Sequence, residues 1–300
     1  MIHKHMRLSL KRKVFSSAII MAGFALIAVF VISFRFFQEI SFGETTLSVA
    51  TFLFGVFLAF TISDRHARIN KIRESDSVER SAITEIVYLS GIISKGLQKR
   101  ISDLFDKYLQ ATLDYMINDY EKTEKELNDV AKQIAAIEAE GVKKDGAFKQ
   151  ILRELSALTT ARESTITIID DKLEFSEWLN FIILSTIVMV STRFIYTGTL
   201  VSAVLLIALN LLVLLFLVFL YDLDKLTYKE EIRIFEPYER TFELIGKLRY
   251  YPKDLIKSKR VVPPKEAYRI GMPVKLYPDM RGKKIKIIYP GKGNKPCAPQ

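Results

Sequence analysis

Hydrophobic and polar positions along this chain are segregated into blocks rather than mixed. Four apolar runs stand out: Val14–Phe34, Thr45–Ser63, Trp178–Thr192 with its extension past Arg193, and Thr199–Tyr221. A bilayer core of roughly 30 Å needs about 20 largely apolar helical residues to cross it, so each run is read as a membrane-spanning helix. Between the second and third runs, Asp64–Glu174 mixes charges with apolar residues at helical spacing (Ile83, Ile86, Val87 and Leu97, then Ile101, Leu104, Phe105, Tyr108 and Leu109) and contains no proline. After Gly55 the second run passes into this charged stretch with no proline or glycine before Glu74. That predicts one helix leaving the membrane and carrying on into water.

Within the charged stretch, Gly91 and Gly96 are expected to kink the first helix. Lys122–Glu140 reads as a solvated or coiled helix, with its acidic residues alternating with basic ones. Gly141 to Gly146 forms a turn, and Ala147–Glu174 returns to the membrane. The expected fold is therefore an all-α membrane protein. It has four spans in two pairs and a long cytoplasmic helical hairpin between them. All nine prolines lie at or after Pro237, which marks a change of architecture. Asp222–Lys259 still reads as mostly helical. Val274–Tyr277 and Lys284–Tyr289 alternate apolar and charged residues around Asp279–Gly282, a pattern for a small β-hairpin. Pro290–Gln300 reads as a disordered tail. The expected segments are a basic N-terminus (1–13), spans one and two (14–63), a cytoplasmic helical domain (64–176), spans three and four (177–221), a cytoplasmic helical segment (222–260) and a basic tail (261–300).

The second span carries two columns at four-residue spacing. Thr51, Gly55, Ala59 and Ser63 form a ridge of small residues that lets helix backbones approach closely in lipid. Phe52, Val56 and Phe60 form an adjoining column of bulky apolar groups, which spacing alone assigns equally well to lipid or to a neighbouring helix. Asn210 lies mid-span in the fourth run, where an amide needs a partner; a clamp between helices and a pore or ligand contact are both open readings. Arg65 and Arg68 mark the membrane surface, and Trp178 stands at the edge of the third span.

Charge sharpens this layout. The net charge is +10 and mean hydropathy is positive. The first 13 residues hold five Lys/Arg and no acid, and Asp222–Gln300 holds 19 Lys/Arg against 10 Asp/Glu. Asp64–Glu174 is slightly acidic, with 18 basic and 21 acidic residues. Basic residues flanking spans remain cytoplasmic, so both termini are expected in the cytoplasm. The same rule explains the basic balance without nucleic acid. The single cysteine, Cys297, cannot form an internal disulfide, and neither it nor His3, His5 and His66 suggests a metal or cofactor site. No nucleophile–base pair or phosphate loop is legible, so no enzyme is expected.

Four spans paired two and two resemble the bestrophin architecture. Phe57-Leu58-Ala59-Phe60, followed eight residues on by Arg68, is similar to the bestrophin second span. The segment Glu79-Arg80-Ser81-Ala82-Ile83-Thr84-Glu85 and the Asp222-Leu223-Asp224 signature more closely resemble a bacterial bestrophin-like membrane family, over roughly residues 15–245. The resemblance implies five subunits around one pore, with Phe52, Val56 and Phe60 as its neck. Lys225-Leu226-Thr227 stands where bestrophins have Pro-Phe-Gly, the calcium-clasping acidic run is missing, and no tryptophans follow Arg68. These departures remove calcium gating from the expectation. The expected function is an oligomeric, pentameric, anion-permeable channel in contact with the lipid bilayer. The alternative is a membrane-anchored scaffold or sensor whose cytoplasmic hairpin binds a partner.

Overall fold

The structure, a computed structural model, describes residues 43–115, 117–138, 141–226, 237–257, 261–262, 264–272 and 283–290. The expected first span (Val14–Phe34), the basic N-terminus, the strand Val274–Tyr277, its turn and the terminal tail lie outside the described residues. Eight α-helices are described: α1 (Gly43–Ile93), α2 (Lys95–Asp114), α3 (Glu124–Ala135), α4 (Val142–Asp170), α5 (Phe175–Ser191), α6 (Leu200–Asp224), α7 (Tyr238–Leu244) and α8 (Lys253–Lys257). Short 3-10 turns occupy Ile117–Thr123 and Thr192–Ile195. Three strands, β1 (Tyr250–Pro252), β2 (Tyr268–Met272) and β3 (Lys284–Ile288), form one sheet.

The chain divides into two compact units, residues 1–68 with 172–227 and residues 69–171 with 228–300. Helix α1 contributes to both. Its 51 residues make a rod about 75 Å long at 1.5 Å per residue, more than twice a bilayer core, so only its apolar first part suits a membrane.

Three helices among the described residues are long and apolar enough to span a bilayer: α1, α5 with its 3-10 extension, and α6. In the first unit they share one apolar core. Ala50, Phe54 and Leu58 of α1 pack with Phe181, Val188 and Met189 of α5 and with Val213, Leu217 and Leu220 of α6. Local chemistry fixes the helix ends. Glu177 accepts a hydrogen bond from the Glu174 N–H (2.8 Å) at the start of α5. Thr199 Oγ1 accepts from the Ser202 N–H (3.2 Å) at the start of α6.

The second unit is a helical bundle with a sheet attached, not a two-helix hairpin. The break falls at Ser94, between the two glycines rather than at either. Ser94 adopts an extended conformation and caps α2, its hydroxyl accepting from the Leu97 N–H (3.1 Å). Helix α2 then folds back on α1. In a straight helix Glu79 and Tyr108 would stand about 44 Å apart, yet their side chains are hydrogen-bonded. The helix after Gly141 begins at Val142, so Gly146 is helical and only Gly141, at φ 94°, makes the turn.

One core joins Ile83, Ile86, Ile101, Phe105, Val130, Ile151 and Leu158 with Tyr238, Phe242 and Tyr250 from the C-terminal part. The C-terminal segment is thus built into the bundle. Helix α7 ends at Gly246 (φ 75°), where the Lys247 N–H reaches back to the Phe242 carbonyl at 2.8 Å. Of the expected hairpin, Val274–Tyr277 lies outside the described residues, and the other strand is present as β3. Strand β3 pairs antiparallel with Tyr268–Met272 (Tyr268↔Ile288 to Met272↔Lys284), and β2 pairs parallel with β1, a strand that falls inside a stretch read as helix.

Candidate functional site

The candidate site is the uncovered side of α1 in the first unit and the polar cluster at that unit's charged end. Because Ala50, Phe54 and Leu58 face α5 and α6, the two neighbouring columns point elsewhere. Phe52 and Phe60 are 69% and 74% exposed, and Val56 is half-buried. Thr51, Gly55, Ala59 and Ser63 are all exposed, and a Cβ built at Gly55 would meet nothing within 4 Å among the described residues. So within the described residues the packing of α1 uses a third column, and the two columns picked out by spacing are exposed there apart from the half-buried Val56.

At the end of the apolar part, Arg65 and Arg68 are buried rather than splayed into headgroups. Arg65 Nη2 bonds Asp64 at 2.6 Å, and Arg65 Nη1 lies 3.6 Å from Asp224 Oδ1. Arg68 Nη1 donates to the Asp224 backbone carbonyl at 2.8 Å, one of the carbonyls that a helix leaves unpaired at its C-terminus. Asp224 Oδ1 also accepts from the Leu173 N–H at 2.8 Å. An aspartate at a helix C-terminus faces the negative end of the helix dipole; the two guanidiniums offset that cost. The cluster joins the middle of α1 and the end of α6 with the segment entering α5. The following turn is unusual, with Leu226 at φ 46°, a region that costs a non-glycine residue about 1–2 kcal/mol.

Asn210 Nδ2 donates to Thr192 Oγ1 (3.2 Å) and to the Leu206 carbonyl (2.9 Å), linking α6 to the end of α5. Arg193 stacks over the Tyr196 ring at 4.5 Å. Trp178 meets Phe181 and Tyr221 edge-on.

A family model described as the Bestrophin-like domain matches residues 14–226. The chain belongs to the bestrophin-like family. It is a membrane protein. No curated protein and no solved structure matches it. Within the bestrophin-like region, Arg68 and Asp224, which stand 156 positions apart in the sequence, meet in one hydrogen bond.

The bestrophin-like region also contains residues that sequence reasoning passed over as solvated charges. On α1, Ile72, Asp76, Glu79, Ile83, Ile86 and Ser90 follow a 4-3 spacing and are all buried, so two carboxylates lie in a core seam. Glu79 accepts from the Tyr108 hydroxyl at 2.8 Å and from the Tyr120 hydroxyl. Arg162 of α4, 2% exposed, donates to the Tyr108 hydroxyl and to the Tyr120 and Glu121 carbonyls, each at 3.2 Å, and to Thr123. Its guanidinium lies 4.9 Å from the Tyr120 ring centroid. Asp76 pairs with Arg80 at 2.8 Å.

Burial, then the charge of Asp76, pushes the Glu79 carboxyl up to about 7, against the Tyr120 and Tyr108 bonds and Arg162. Burial also raises Asp76 and holds the Tyr108, Tyr120 and Tyr238 phenols well above their ordinary value. The phenols therefore stay protonated as donors, and burial brings the Glu79 carboxyl close to neutrality. The signal in the sequence was the 4-3 spacing that placed Glu79 in line with Ile83 and Ile86.

Proposed function

We propose that this protein is a homo-oligomeric, pentameric, anion-permeable channel of a bacterial cytoplasmic membrane. In this reading four spans are paired two and two, and both termini are cytoplasmic. The observation that carries it is the pair of columns on α1, exposed among the described residues apart from the half-buried Val56, in a chain of the bestrophin-like family. The small ridge (Thr51, Gly55, Ala59, Ser63) seats a neighbouring subunit, because small residues let backbones approach where lipid offers no hydrophobic drive. The bulky column (Phe52, Val56, Phe60) then lines a shared axis as a neck, and a ring of such apolar groups gates by dewetting. Anion preference follows from the basic cytoplasmic segments at 1–13 and 222–300, whose positive field raises the local anion concentration. Arg65, Arg68 and Asp224 hold the inner end of the span, and Asn210 clamps the outer pair.

The test is conductance of the full-length protein in planar bilayers. Replacing Phe52, Val56 and Phe60 together by Ala widens and wets the neck, so chloride conductance rises. Absence of conductance from both proteins defeats the channel reading.

One observation favours the second reading, a membrane-anchored scaffold or sensor. The bundle carries an open groove of about 660 Å³ between α1 and α4, lined by Lys71, Glu74, Ser75, Arg153, Thr160 and Ser164 among others. A non-conducting monomer or dimer that recovers a partner on Asp64–Glu174 would select it.

A further inference from the structure

We propose that the edge of β3 left unpaired among the described residues is a docking edge for an extended segment of a partner protein in which acidic and apolar residues alternate. The segment adds to the sheet as a fourth strand. The sheet order is β1-β2-β3, so among the described residues β3 is paired on one side only, by β2. An edge strand presents a row of unpaired N–H and C=O groups that templates another strand.

The side chains define what fits. Lys284, Ile285, Lys286 and Ile287 are all exposed. Successive residues of a strand point to opposite faces, so Lys284 and Lys286 share one face and Ile285, Ile287 and Tyr289 share the other. The last three are 46%, 44% and 51% exposed. An incoming strand thus meets an apolar stripe on one face and two ammonium groups on the other. From Arg281 to Gln300 the chain holds six basic residues and no acid. Like charges on facing strands repel, so a second copy of β3 is a poor occupant and an acidic strand a good one. The other edge differs: β1 ends at Pro252, which has no N–H to offer.

The edge is held in place before anything binds. Arg269 of β2 makes two bonds to Asp106 of α2, at 2.6 and 2.7 Å. Lys283, immediately before β3, pairs with Asp114 and lies 4.9 Å from the Tyr250 ring centroid. Anchored in this way, the strand loses little freedom on binding.

The test uses the full-length protein in nanodiscs of neutral lipid and the labelled peptide Glu-Val-Glu-Val-Glu-Val, read by fluorescence anisotropy. Two controls accompany it: the peptide with Lys for Glu, and the acidic peptide methylated on alternate backbone nitrogens. The acidic peptide binds, the methylated one does not, and the K284E/K286E protein loses about tenfold in affinity for the acidic peptide while gaining affinity for the basic one. An unchanged thermal midpoint shows that this surface variant is folded. Equal binding of the methylated peptide, or unchanged affinity in the double variant, overturns the proposal. So does no peptide binding to the wild-type protein together with lysine-dependent capture of anionic-lipid vesicles, which assigns the edge to a membrane surface.

Discussion

The buried Glu79 makes the stability of the bundle depend on pH in a direction opposite to that of a salt-bridged carboxylate. Its carboxyl has an ordinary value of 4.5 and is pushed up to about 7 in the folded protein. The folded state therefore holds the proton more tightly than the unfolded chain does. The contribution is fully present below about pH 4.5 and is lost as pH rises through about 7. At 1.36 kcal/mol for each unit, the shift corresponds to about 3 kcal/mol. For a protein of this size that is a change of roughly 6–12 °C in thermal midpoint.

The perturbation that isolates it is Glu79→Gln, which keeps the shape and removes the titration. Asp76 and Asp114 are raised as well and add pH dependence of the same sign, but they remain in both proteins. The assay is the difference in thermal midpoint between the wild-type and E79Q proteins in the same detergent, followed from pH 4.5 to pH 8. The wild-type protein should lose stability relative to the variant by about 3 kcal/mol over that range. Parallel curves would show that Glu79 does not titrate there, and would refute the assignment of a buried, proton-sharing carboxylate.

Two further predictions concern the other polar clusters. Arg162→Leu removes the donor shared by Tyr108, Thr123 and the Tyr120 and Glu121 carbonyls, together with the guanidinium charge that acts on Glu79; denaturant titration should show a loss of about 3–5 kcal/mol, with Arg162→Lys recovering only part because a lysine cannot fork to four acceptors. At the end of the membrane-spanning unit, a double-mutant cycle on Arg65→Gln and Asp224→Asn should return a coupling of about 1–3 kcal/mol, and additive effects would show that the two side chains do not depend on each other.

The apolar blocks made α1, α5 and α6 legible, because a charge-free run of that length has few other uses in a folded chain. The start of α6 was legible too, at Thr199, whose hydroxyl accepts from the Ser202 N–H; α5 begins at Phe175, three residues before the apolar run, where Glu177 accepts from the Glu174 N–H. The reversal at Ser94 was misplaced onto the flanking glycines, since a serine that caps one helix and ends another looks like any polar helical residue until the chain folds back. Strand β3 was legible from its alternation, whereas its described partner Tyr268–Met272 was passed over, because alternation marks a strand without naming what it pairs with. Glu79 and Arg162 were the hardest. Each is an ordinary charged residue on a charged helix, and only the convergence of α1, α2 and α4 with Tyr108 and Tyr120 makes their burial tolerable. At the candidate site, spacing exposed the two columns on α1, but not which of its columns the chain itself covers; that required the positions of α5 and α6.

The claim on which the account rests is that the open columns of α1 are covered by other copies of the same chain. Native mass spectrometry of the full-length protein, with Gly55→Leu beside the wild type, tests it most directly. A Cβ added at Gly55 meets nothing within 4 Å among the described residues, so the substitution strikes what packs against the ridge. The account predicts a closed five-subunit species for the wild type and its loss in G55L. A monomer in both, or an oligomer indifferent to G55L, would contradict it.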